Sequence, residues 1–179
     1  MLSNRMGMPD IFLATGRNGV FAKQDEASGF YCITDRTQED VDRLKELRRK
    51  LLNGQYTEQD WEEYQYYSKG ALNYSDLARI EGNLETLASL LRVNLYSMER
   101  DPIPRVPYFT NLLKNITIIR ESPYCSDITP QVPSMPLNTY QKINDIEKIL
   151  LDAYTVFTAN AASEYYAGSE LVMPRNTII

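Results

Sequence analysis

Asn73-Tyr74-Ser75-Asp76-Leu77-Ala78-Arg79-Ile80-Glu81 opens the most regular helical pattern in the chain, and its reading decides the fold. Asn73 or Ser75 can accept hydrogen bonds from the free N–H groups of a first helical turn. Behind them Leu77, Ile80, Leu84, Leu87, Leu91, Leu95 and Met98 recur at three- and four-residue spacings, the stripe of a helix with one buried face. Asp101-Pro102 is the expected stop, because a proline ring disfavours helical backbone at the residue before it. The pattern predicts one helix of roughly 35 Å at 1.5 Å rise per residue. Gly82 inside it costs about 1 kcal/mol relative to alanine. It marks a place where a neighbouring helix can approach closely.

Two earlier segments share this grammar. Thr37 caps a helix with Glu39 and Asp40 in its first turn, where negative charge suits the helix dipole. Val41, Leu44, Leu47 and Leu51 form its stripe, and Asn53-Gly54 ends it. Thr57-Glu58-Gln59-Asp60 opens a shorter helix through Trp61 and Tyr64, with Gly70 closing it. Downstream, residues 101–108 form a stiff proline-rich connector. Thr110 is the expected cap of a short helix carrying Leu112, Leu113, Ile116 and Ile119. The β-branched run there also allows a strand. After a second proline-rich loop, a last long helix starts near Asn138-Thr139, with Ile143, Ile146, Leu150, Ala153 and Phe157 on its stripe.

The N-terminal part reads differently. Asn18-Gly19 between two short apolar runs is a hairpin signal. With Phe30-Tyr31-Cys32-Ile33, residues 10–35 are expected to form a small β-meander. The fold class is therefore mainly α: a helical bundle with two long coiled-coil-like helices, a β-meander near the N-terminus and extended terminal arms. Residues 1–36 are the β-rich N-terminal arm and 37–160 the helical body. The body comprises two related units, about 37–100 and 108–160, and residues 161–179 are an extended C-terminal arm. The two units echo each other in Leu72-Asn73 with Ile80-Glu81, and Leu137-Asn138 with Ile146-Glu147.

Composition narrows the function classes. The 179 residues carry 19 Lys and Arg against 24 Asp and Glu, a net charge of −5, whereas duplex nucleic-acid binding wants a basic face. The basic run Arg48-Arg49-Lys50 sits at a helix end, where the dipole explains it. Cys32 and Cys125 form no CxxC pair, so two reduced thiols in a reducing cytosol are expected. Residues 1–10 lack a signal-peptide core, and no apolar run approaches a membrane span, so no membrane partner is expected.

Histidine is absent, which removes the commonest general base and metal ligand. Glu39-Asp40 and Glu62-Glu63 are adjacent on helices and do not face each other. Gly16-Arg17-Asn18-Gly19 lacks the ending of a phosphate loop. No catalytic, cofactor or metal residues are assigned, and an enzyme is not expected. Tyr56, Trp61, Tyr64, Tyr66, Tyr67 and Tyr74 cluster in sequence. They read either as cover for the core between two helices or as an interface, with a sugar-binding platform as a third option. Trp61, Tyr64, Tyr66 and Tyr67, with Leu171, Val172 and Met173 of the apolar C-terminal segment, are the candidate protein-interaction residues.

Asp35-Arg36-Thr37-Gln38-Glu39-Asp40-Val41, a Trp-bearing helix and then Asn73-Tyr74-Ser75-Asp76-Leu77-Ala78-Arg79-Ile80-Glu81 resemble structural proteins of the tail and baseplate modules of phages and prophages of Gram-positive bacteria. In that family a "DRTQxDV" word precedes an "NYxDLNRIE"-like helix start; here Ala78 stands where asparagine is frequent. The resemblance covers about residues 35–92, with an echo at 137–150. It implies a virion subunit at a tail tip, baseplate or fibre attachment, assembled in the host cytoplasm. Its partners would be other virion proteins and further copies of itself. The competing expectations are a cytosolic helical adaptor or assembly factor binding through the Tyr/Trp patch, and an enzyme with an unfamiliar carboxylate site.

Overall fold

Three helices begin on one device, a capping side chain answered by an aspartate three residues later. Thr37 and Asp40 start α1 (Gln38–Leu52), Thr57 and Asp60 start α2 (Glu58–Glu62), and Asn73 and Asp76 start α3 (Tyr74–Leu91). In each, the cap accepts from the aspartate's N–H while the aspartate accepts from the cap's own N–H, satisfying two end donors at once. The computed structural model describes residues 29–67, 69–70, 72–99 and 104–169, and within these the chain is mainly helical, with five α-helices and no strand. A π turn, Glu63–Tyr67, continues α2. Gly54, in left-handed backbone with φ 66°, turns the chain after α1.

The core lies between α3, α4 (Val106–Arg120) and α5 (Tyr140–Ser169), which pack on one another. Leu77, Ile80, Leu84 and Leu87 of α3 meet Leu112, Ile116 and Ile119 of α4 and Ile146, Ile149, Leu150 and Ala153 of α5. The apolar stripes of α3 and α5 thus face inward as their spacing predicts. α1 packs on α2 and the π turn, burying Leu47.

Several expectations are corrected. α3 is not 35 Å long: it ends at Leu91, where Arg92 adopts left-handed backbone, so its 18 residues span about 27 Å. Leu95 and Met98 still pack on the core, but from a non-helical segment, residues 93–99. A side chain of α4 holds that segment: Asn115 accepts from Tyr96 N–H at 2.7 Å and donates to its carbonyl at 3.0 Å, as a strand neighbour would. α4 starts at Val106 with a proline in its first turn, and Thr110 lies inside it, donating to the Val106 carbonyl at 2.9 Å. Residues 116–119 are helical.

α5 runs to Ser169, so residues 161–169 belong to a helix rather than an extended arm; residues 170–179 lie outside the described residues. Of the β-meander at residues 10–35, residues up to 28 lie outside the described ones as well. The remainder is neither helix nor strand. Helix side chains bind it instead. Asn83 donates to the Tyr31 carbonyl at 2.7 Å, and Asn144 brackets Arg36, donating to its carbonyl at 2.9 Å. Phe30 stacks on Tyr154 of α5 at 4.0 Å.

Gly82 has no neighbour within 4 Å of where a Cβ would stand, so it admits no close helix contact. Gly82→Ala is therefore expected to stabilise the fold by about 0.4–1 kcal/mol, read as a higher urea midpoint.

Candidate functional site

The densest polar constellation is a buried charge lock where residues 30–36 cross α3 and α5. Arg36 and Arg79 supply two cations, Asp76 and Glu147 two anions, and all four side chains are at most 6% exposed. Glu147 Oε1 receives Arg36 at 2.8 Å and Arg79 at 2.7 Å; its Oε2 receives Arg79 Nε at 3.1 Å and the Ile33 N–H at 2.6 Å. Asp76 Oδ1 receives Arg36 at 3.0 Å and Arg79 at 2.6 Å. Arg36 also donates to the Ile33 carbonyl at 2.5 Å. Burial alone would lower the Arg79 pKa, but the bonds to Glu147 and Asp76 outweigh it and hold the guanidinium charged.

Three of these residues stand in the words that carry the resemblance, Arg36 in the first and Asp76 and Arg79 in the second. Glu147 stands in the echo. Words far apart in sequence are thus one cluster in space. Sequence reasoning missed the cluster, though a signal existed. Glu147 lies four residues after Ile143 and three before Leu150, on an apolar stripe, and Asp76 lies four before Ile80. An acid on a buried face needs a buried partner.

Cys32 sits beside the lock, its sulfur accepting from Asn83 at 3.3 Å. Burial first, and then the Glu147 charge, push its thiol far above the ordinary range, so it stays protonated and inert. Cys125 is raised by burial too.

A second network, partly exposed at Arg43, Glu46 and Glu63 but buried at Asp60, clamps α1 to α2 and the π turn. Arg43 grips Glu63 with two bonds, 2.8 and 2.6 Å, and meets Glu46 at 3.0 Å; Lys50 meets Asp60 at 2.8 Å. Lys50, with the Thr57 N–H and hydroxyl, holds the Asp60 carboxyl well below the usual range. Arg43 does the same for Glu63 and Glu46. Carboxylates depressed in the folded state add stability at pH values above the ordinary carboxylate pKa of about 4. That stability is lost as pH falls through their lower folded values. Asp60→Asn should therefore narrow the gap between urea midpoints measured at neutral and at acid pH; an unchanged gap counts against the clamp.

The aromatic cluster reaches the surface. Trp61 is 46% and Tyr74 59% exposed; Tyr56 and Tyr64 flank Trp61 with ring centroids 6.2 and 6.4 Å away, and Tyr64 is half-buried. A groove bordered by Leu44, Arg48, Tyr64 and Tyr74 lies alongside. Tyr66 and Tyr67 are in the π turn, but their side chains lie outside the described ones, as do Leu171, Val172 and Met173. Among the described residues no cluster of three metal-ligating side chains occurs, and no helix is long and apolar enough to cross a membrane.

Comparison with protein-family models, with curated proteins and with solved structures finds no match for the chain.

Proposed function

We propose that this chain is a structural subunit of a phage or phage-like particle, in the tail, baseplate or fibre-attachment region, and not an enzyme. One observation carries the reading. The residues of the two signature words meet in a buried, charge-balanced lock that fixes residues 30–36 against α3 and α5. Words of that kind serve architecture: they hold a helical body and set where an N-terminal arm leaves it. On this reading residues 11–28 and 171–179 contact neighbouring virion proteins and further copies, while residues 30–33 and the stripes of α3 and α5 are taken up by the chain's own core.

Quantitative mass spectrometry of density-purified particles from the source organism tests it. Peptides of this chain at a fixed ratio to the major tail protein are expected. Absence from intact, well-covered particles would overturn the reading. It would favour a cytosolic adaptor or assembly factor instead, for which exposed Trp61, with Tyr56 and Tyr64 beside it, is the supporting surface.

A further inference from the structure

An apolar groove of about 500 Å³ lies between the start of α4 and the loop before α5, lined by Pro104, Val106, Phe109, Met135, Pro136 and Leu137. Val106 is 68% and Met135 39% exposed there, so two of the groove's apolar side chains face solvent. Resting on the subunit reading above, we propose that the groove receives the apolar segment Leu171-Val172-Met173-Pro174 of a second copy, joining copies head to tail.

Reach makes the contact intermolecular. The groove adjoins the start of α5, since Leu137 and Asn138 line it and the helix begins at Tyr140. From there the helix runs to Ser169, about 44 Å at 1.5 Å per residue. Ten residues, even fully extended, cover at most about 36 Å. No residue between 170 and 179 can therefore return to the groove of its own chain. Along α5, Ala153 is buried, Phe157 half-buried against Tyr124 and residues 159–163 exposed. Residues 1–28 are the competing occupant. Phe30, which stacks on Tyr154, lies about 21 Å along α5 from the groove, within their reach, and truncation after Ser169 separates the two: a truncated chain that still self-associates overturns the proposal. A groove on one end and its ligand on the other form a heterologous contact, which closes into a ring or continues as a filament according to the rotation between copies.

Sedimentation of the purified full chain tests this with two variants. Val106→Glu spoils the groove at an exposed position where a first-turn acid suits the α4 dipole. Truncation after Ser169 removes the ligand. The full chain should self-associate with rising concentration, while each variant alone stays at the 20.6 kDa monomer or slightly below. Mixed, the two should form a heterodimer and stop, because the truncated chain keeps a groove and the Val106→Glu chain keeps a segment. A full chain monomeric to its solubility limit overturns the proposal. So does a Val106→Glu chain that still associates, or a mixture that does not pair. Should Val106→Glu lose its helical circular dichroism, Met135→Glu replaces it in the same scheme. A monomeric chain that is nonetheless found in particles would sink this inference and leave the subunit reading standing.

Discussion

Glu147→Ala is expected to lower the unfolding free energy by about 3–5 kcal/mol, the range for removing one partner from a buried ion pair. The loss comes from what remains. Arg36 and Arg79 keep two positive charges in a site where their side chains are 2% and 6% exposed, against the single carboxylate of Asp76. The Ile33 N–H loses its acceptor at the same time. Arg36→Met combined with Glu147→Leu should cost less than the sum of the single changes, because a balanced set of charges is then replaced by apolar groups. Urea titration of the wild type, Glu147→Ala, the two single changes Arg36→Met and Glu147→Leu, and the double change measures both quantities. A loss below about 1 kcal/mol for Glu147→Ala would place the lock with exposed surface pairs and sink the argument. Amide exchange at Ile33 should quicken in Glu147→Ala, since that N–H is held by the carboxylate and by no strand among the described residues.

The sequence made helix beginnings legible and helix endings less so, for a physical reason. A beginning is written locally: Thr37 with Asp40, Thr57 with Asp60 and Asn73 with Asp76 satisfy their donors within four residues. The end of α3 is not. Leu95 and Met98 keep the helical spacing, and Arg92 carries no glycine-like mark of the left-handed backbone it adopts. Past Arg92 the chain is neither helix nor strand, and there Asn115, 19 positions on, offers Tyr96 both halves of a strand pairing. The start of α4 was readable, since Pro107 suits a first turn and Thr110 does not need to be a cap. The charge lock was half readable. Acids on apolar stripes announce that partners exist, but only the crossing of residues 30–36 over α3 and α5 says that the partner of Glu147 is Arg36, 111 positions away. The aromatic cluster was visible as composition, while its exposure depends on how the π turn sets Tyr64 beside Trp61, which spacing does not encode.

Gly70→Ala is expected to destabilise the protein by about 1–3 kcal/mol, toward the upper end, the range for forcing an extra methyl group into a packed contact. Read from sequence, Gly70 is a helix stop. In the fold it is a spacer: a Cβ there would stand 2.4 Å from the Asp40 carbonyl oxygen and 2.8 Å from Leu44 Cβ. The first of these is backbone, and it cannot rotate aside. Asp40 is also fixed by its reciprocal bonds with Thr37, so α1 cannot yield at that point without loosening its own cap. The linker would have to move instead, and it is tied on the same side by Lys69 to Asp35 at 2.9 Å. The two glycine substitutions therefore oppose each other in sign. Gly82→Ala adds a methyl group to open space on a helix and gains helix propensity, while Gly70→Ala adds the same group against a backbone. Side-by-side urea titrations decide it. If Gly70→Ala matched or exceeded the wild-type midpoint, the linker would not be pressed on α1. The α1–α2 hairpin would then be attached to the core mainly through the Arg36 lock, and Glu147→Ala would be the change that frees it.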